Sequence, residues 1–391
     1  MLTSMNFSDG YRQLWARYLR VADAIAPFAA EYDKTGAAPV KSLAAIKEAG
    51  LFGLGIAPGL PGSLNADVRA TVLALTALAT ADPATALGFN MHIYAMRETH
   101  RQLTDEGRQL LASLGKDRLF SALTSEPGAS SALPETFNPK LRVEETEGGF
   151  LLSGVKKFAS NFEVSDYALV YAGDGQGAFM VLIVDTNQPG LSVKDIWNEA
   201  AEGMRNTRSN EVTFDKVFVP KEYLLYRGDN FLQSALYTDD RLFYYTSVYM
   251  GVAITLLHKF GYELKTRKAA GKTLPLIYLE SNSIPFGKLI AQVEAAWTTL
   301  WNAATTVDED GISPVAMESL ARAKVLVGEA VAELIHQADQ LVGLNGLLNP
   351  TISRFLRDGR TARIMPPSSK NCCEMLALSF LDLPPVGQKL T

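Results

Sequence analysis

Cysteine is nearly missing from this chain of 391 residues, and the two present, Cys372 and Cys373, are adjacent. Neighbouring cysteines do not make an ordinary structural disulfide, so they read as inert packing. So sparse a usage fits a reducing cytosol, the expected location. Histidine is also scarce. His92, His100, His258 and His336 are scattered, with no HExxH and no cysteine pair at zinc spacing, so no metal centre is expected and they read as polar helix residues. No run approaches about 18 uninterrupted apolar residues, and Met1 to Trp15 lacks the apolar core of a secretory signal. Basic residues are not in excess: 37 Lys and Arg stand against 42 Asp and Glu. That leaves no electrostatic footprint for nucleic acid or an anionic membrane. There is no GxSxG elbow, and the Pro/Gly loop Gly53 to Ser63 does not follow a strand and open a helix. Serine hydrolase and Rossmann readings both fall.

What remains is an ordinary globular composition, 47% hydrophobic and 20% charged, long enough for about two to three domains. Three stretches differ in period. Residues 1–118 read as a helical domain. Leu14, Trp15, Tyr18, Leu19, Ala22 and Ile25 share one helical face; Val40 to Ala49 is stopped by Gly50; a third helix opens at Ala66-Asp67 and runs to Ala81. One further helix carries both His92 and His100, and another spans Glu106 to Leu114. Residues 119–228 read as an antiparallel β-domain. Leu141 to Leu152 form a hairpin about Gly148-Gly149, and Asp166 to Ala172, Ala178 to Val184 and Glu211 to Val219 are strand-like. Residues 229–391 read as a bundle of long helices, Asp240 to Lys268, Phe286 to Asp308 and Pro314 to Leu344. Helices, then strands, then helices predict a multi-domain α+β chain rather than an alternating α/β sheet.

Phe120 to Ala132 (FSALTSEPGASSA) combines a strand end with small hydroxyl residues and glycine. Such a segment offers hydroxyls and closely approachable N–H groups to a planar polar ring or a phosphate, or forms a polar turn. With its neighbours it resembles the first signature of the acyl-CoA dehydrogenase superfamily, roughly T-E-P-x-A-G-S-D. Four more blocks follow in family order. Gly149 to Asn161 is similar to G-Y-x-L-N-G-x-K-x-x-I-T-N. Gly203 to Thr207 with Val212 to Pro220 is similar to G-x-R-x-S/T followed by V-x-F-x-x-V-x-V-P. Arg267 to Gly271 is similar to R-x-x-F-G, and Gln340 to Gly346 with Arg357-Asp358 to Q-x-x-G-G-x-G and R-D.

The resemblance implies an N-terminal helical domain, a middle β-domain and a C-terminal four-helix bundle, with FAD between the last two. It implies a homotetramer or homodimer. It places Thr124, Ser125, Ser130, Ser131, Phe158, Ala159 and Ser160 beside the flavin. Arg267 would contact the diphosphate of a neighbouring subunit's FAD, unless it is simply a solvated helix-end cation; Gln340 and Gly343 would lie along the other end of the cofactor. A dehydrogenase of this family removes an α-proton from an acyl thioester, on CoA or a carrier protein, while hydride passes to the flavin. The usual base is Glu in a motif like I-Y-E-G-T. The matching run here is Ile364-Met365-Pro366-Pro367-Ser368, with Pro366 at the Glu position. Other members carry the base just before an Arg at the first bundle helix, which makes Asp240, or Asp239, the candidate. The same residues also suit a helix N-cap. Ser130, Ala132 and Leu344 depart from the signatures and weaken the match to CoA thioesters. Related flavin monooxygenases lack the Glu and oxygenate a substrate with reduced flavin and O2, with FMN as a possible cofactor and a flavin reductase or an electron-transfer protein as partner. The cluster Phe243, Tyr244, Tyr245 and Tyr249 suits either a dry pocket or bundle core. A catalytically silent flavin-binding member is the third reading.

Overall fold

Two aspartates start the helices at the centre of the N-terminal part. The Asp67 side chain accepts the Ala70 N–H at the head of α3 (Val68–Ala81). Asp82 accepts the Thr85 N–H at the head of α4 (Pro83–Met96), with Pro83 in the first turn. Every residue of α4 is buried, so this helix is an inner layer rather than a surface one. Helix α1 (Asp9–Thr35) packs on α3, and α2 (Val40–Glu48) and α5 (Asp105–Gly115) touch α4. The structure, a computed structural model, describes residues 7–101, 103–128, 139–198, 200–228, 240–269 and 271–383. Among them no helix is long and apolar enough to cross a membrane.

His92 is the helix histidine that the sequence suggests, here in the interior. It is fully buried, with Nε2 2.9 Å from the Phe52 carbonyl and Nδ1 3.2 Å from the Phe120 N–H. Only the tautomer protonated at Nε2 satisfies both bonds. Burial pushes its pKa down to about 4, so the ring stays neutral and acts as a strut between α4 and the sheet. His100 is not on that helix, because the chain tightens into a 3₁₀ turn over Arg97–His100.

The strands are β1 (Phe120–Leu123), β2 (Arg142–Thr146), β3 (Gly149–Ala159), β4 (Tyr167–Gly173), β5 (Phe179–Asp185), β6 (Leu191–Lys194), β7 (Asn210–Pro220) and β8 (Leu224–Gly228). They form one sheet in the order β6-β7-β3-β2-β4-β5-β8, with β1 paired to β4. The pairings are antiparallel except those of β4 with β1 and with β2. The predicted hairpin is present, with Glu147-Gly148 between β2 and β3 and Gly148 at φ +79°. The register of β3 on β7 shifts near Gly154 and again before Ala159. The second shift re-aims the end of β3, where the candidate residues lie.

The third part holds α6 (Tyr244–Thr266), α7 (Glu280–Asp310), α8 (Pro314–Leu347), α9 (Pro350–Gly359) and α10 (Ser369–Phe380). The α7 helix starts at Glu280 rather than at Phe286 and carries Pro285 inside it. Helices α6 and α3 cross closely. The Thr76 hydroxyl donates to the Ser247 carbonyl at 3.1 Å, and a Cβ at Gly251 would meet the Thr76 carbonyl at 2.5 Å. One apolar cluster therefore runs from α1 through α10.

Candidate functional site

The ends of β1 and β3 bring together five of the residues singled out from the sequence: Thr124, Ser125, Phe158, Ala159 and Ser160. Thr124 and Ser125 are half-buried just past β1, and the Lys157 N–H donates to the Ser125 carbonyl at 3.0 Å. A buried ion pair sets this turn. Lys156, with no exposure, donates to Glu126 Oε1 at 2.6 Å and approaches the Thr124 carbonyl at 3.5 Å. Glu126 also accepts the N–H groups of Lys140 and Leu141. Burial pushes the Lys156 amine down, and Glu126 pulls it back up. Reading the sequence passed over both residues, although each occupies a fixed letter of the motifs quoted above.

At the end of β3 the backbone bends through the left-handed region at Phe158 (φ +62°) and Asn161 (φ +58°). The bend stands the Phe158 ring out, 51% exposed, with Trp197 edge-on at 6.2 Å. Ala159 is buried. Ser160 is also buried, and its hydroxyl lies 2.7 Å from that of Ser209, which lies 2.8 Å from that of Thr207. The Asn161 side chain is buried and neither end of its amide has a hydrogen-bond partner. It presses on Gly88, where a Cβ would be 2.2 Å from Nδ2. An outstanding aromatic ring, half-buried hydroxyl residues and an amide without partners thus gather at the ends of β1 and β3, a shelf of polar groups beside an exposed ring. Ser130 and Ser131 lie outside the described residues.

Asp240 opens the 3₁₀ turn that leads into α6 and is buried. Arg97 donates to its Oδ2 at 2.5 Å and Tyr244 donates to the same oxygen at 3.1 Å. The next residue, Arg241, is 1% exposed and pairs with buried Glu98, which also accepts the Tyr171 hydroxyl at 2.8 Å. Arg97-Glu98 and Asp240-Arg241 thus cross as two ion pairs between the first and third parts of the chain. Asp239 lies outside the described residues. Phe243, Tyr244 and Tyr249 are core, with Tyr249 on Thr361 at 2.8 Å, whereas Tyr245 is half-buried and reaches Met91. Pro366 itself brings no carboxylate, and the neighbouring turn is fastened by buried Lys324, which donates to the Ala362 carbonyl.

Arg267, Gln340 and Gly343 sit together elsewhere, at one end of the bundle. Arg267 donates to the Val342 carbonyl at 2.6 Å, and Gln340 donates to the Ser281 carbonyl at 2.7 Å. Gly343 breaks α8 at φ +57° with open space where a side chain would be. No hydrogen bond or ion pair among the described residues joins this group to the β1/β3 shelf.

Comparison with known proteins gives three family matches in chain order. These are "Acyl-CoA dehydrogenase, N-terminal domain" over residues 14–111, the middle domain over 121–217 and the C-terminal domain over 246–377. The chain is 25% identical to the mitochondrial 2-methylacyl-CoA dehydrogenase of Solanum tuberosum, across 94% of this chain and 90% of that protein. It is 29% identical to L-evernosamine nitrososynthase of Micromonospora sp., across 51% of this chain and 48% of that protein. Among solved structures, FMN-bound TdsC of Paenibacillus sp. A11-2, a dibenzothiophene monooxygenase, superposes with a TM-score of 0.83 at 20% identity, covering 95% of this chain and 98% of that one.

Proposed function

The chain belongs to the acyl-CoA dehydrogenase family, whose members are flavin oxidoreductases, and on that premise we propose that it is a flavin-dependent monooxygenase working with reduced flavin and O2. The carrying observation is the lack of a free carboxylate at either place where the family keeps its base. Pro366 offers neither an acid nor an N–H, and Asp240 is engaged by Arg97 and Tyr244 as one half of an ion pair. A thioester dehydrogenase needs a carboxylate within reach of the α-proton. An oxygenase needs a site that excludes water rather than a carboxylate base.

The shelf residues fit a flavin. Thr124, Ser125 and Ser160 would meet the polar edge of its ring, Phe158 would flank it and the Asn161 amide would find the partners it lacks. FAD is the expected form and FMN the alternative. Arg267, Gln340 and Gly343 would serve the diphosphate end of a flavin held by a second copy of the chain, in a homotetramer or homodimer. Ser130 and Ser131 would complete the shelf. The flavin, once reduced by a partner reductase, supplies the electrons for oxygen activation; the chain holds the ring, orients its edge and keeps water out.

A second reading, α,β-dehydrogenation of an acyl thioester with Asp240 as the base and an electron-transfer partner, draws on the dehydrogenase of Solanum tuberosum, which matches over nearly its whole length. Anaerobic mixing of the flavin-loaded protein with butyryl-CoA, isovaleryl-CoA and palmitoyl-CoA separates the two. No bleaching is expected. Bleaching that Asp240→Asn abolishes would overturn the monooxygenase reading and make Asp240 the base.

A further inference from the structure

Ser160, Ser209 and Thr207 form a chain of three hydroxyls whose direction is fixed at one end. The Thr207 hydroxyl lies 2.9 Å from the Met204 carbonyl. A carbonyl only accepts, so the single hydrogen of Thr207 is spent there. Thr207 Oγ1 must therefore accept from Ser209, 2.8 Å away, and Ser209 in turn must accept from Ser160, 2.7 Å away. The hydrogen of Ser160 points into the protein, and what remains on its oxygen is lone pairs. All three residues are buried, so water does not scramble this order.

We propose that Ser209 and Thr207 are positioning residues that fix Ser160 as a hydrogen-bond acceptor, and that the site thereby selects reduced flavin over oxidised flavin. The inference rests on the flavin reading above, with the N5 edge of the ring seated against Ser160. Oxidised flavin presents an unprotonated N5, an acceptor, which gains nothing from a second acceptor. Reduced flavin carries N5–H, a donor, which does. A protein that receives its flavin already reduced would use such a preference to capture the right form.

The test is anaerobic equilibrium titration of the flavin-free protein with oxidised and with reduced FAD and FMN, read as the ratio of the two dissociation constants. The wild type is expected to bind the reduced form more tightly. Ser209→Ala frees the Ser160 hydrogen to meet oxidised N5, so the ratio should fall by about tenfold, the weight of one hydrogen bond. That is about 30 mV for a two-electron couple. Thr207→Val should act in the same direction, and Thr207→Ser, which keeps the donor, should restore the wild-type ratio. Merely loosening the site would weaken both forms alike and leave the ratio unmoved. An unchanged ratio in Ser209→Ala and Thr207→Val, with flavin still bound, overturns the hydroxyl-chain proposal alone. A wild type that takes up neither form overturns it together with the flavin reading.

Discussion

Glu126→Gln is expected to lower the unfolding free energy by about 3–5 kcal/mol, the range for breaking one half of a buried ion pair. Lys156 has no exposure, and among the described residues Glu126 is the only carboxylate within ion-pair distance of it. Without that charge, Lys156 must stay charged and unpaired or fold in its neutral form. The Lys140 N–H donates to Oε2 and the Leu141 N–H to Oε1, so glutamine keeps an oxygen for only one of them and the loss reports the charge together with one backbone hydrogen bond. The double variant Glu126→Gln/Lys156→Met removes both charges and should recover much of the loss, because the large cost lies in leaving one partner behind. Denaturant unfolding of the three proteins measures this. A loss below about 1 kcal/mol in the single variant would mean that water reaches the pair and that the turn at Thr124 and Ser125 is held by something else.

The second large effect is a pH dependence carried by two buried groups. Asp358 is buried and accepts the Met204 N–H at 2.6 Å. Burial raises its pKa from the usual carboxylate range to about 7; the Met204 N–H and Arg354 oppose this, while Asp82 and Asp33 reinforce it. Between about pH 4 and 7 the folded chain then holds a proton that the unfolded chain has lost. Stability from this group is greatest below that window and falls as pH rises through it. A shift of about three units corresponds to about 4 kcal/mol. Lys324 works on the alkaline side. Burial pushes it down to about 8, with the Cys372 thiol opposing. Between about pH 8 and 10.5 the unfolded chain holds the extra proton, so stability rises with pH by about 3 kcal/mol. His92, held down at about 4, adds an opposing rise between about pH 4 and 6.5, so each limb is read in the difference between a variant and wild type rather than in the wild-type profile. Asp358→Asn should flatten the acid limb and Lys324→Met the alkaline limb, each read as the difference from wild type in unfolding free energy against pH. Parallel curves for wild type and variants would remove these groups as the source.

Both predictions concern contacts that the sequence did not display. Local signals were legible. Asp67 before an apolar run, Ser313-Pro314 at the head of α8 and Glu147-Gly148 between alternating strands each encode their element within a few residues. The order of helices, strands and helices was legible for the same reason. Long-range pairing was not. Glu126 and Lys156 are 30 residues apart, Ser160 and Ser209 49, and Arg97 and Asp240 143. A capping pattern in the sequence cannot reveal that an arginine from the first part of the chain occupies the aspartate. The burial of His92 was not legible, because a histidine with two backbone partners looks, in sequence, like any other helix histidine. The parallel pairing of β1 with β4 was likewise hidden, since β1 is a single short apolar run with no turn to announce its neighbour.

A crystal structure of the protein with FAD or FMN tests most directly where the flavin ring rests. The ring is predicted to lie on the shelf formed by Thr124, Ser125 and Ser160, flanked by Phe158, with the Asn161 amide newly hydrogen-bonded. A ring bound anywhere else, or crystals grown with excess flavin that contain none, would contradict it.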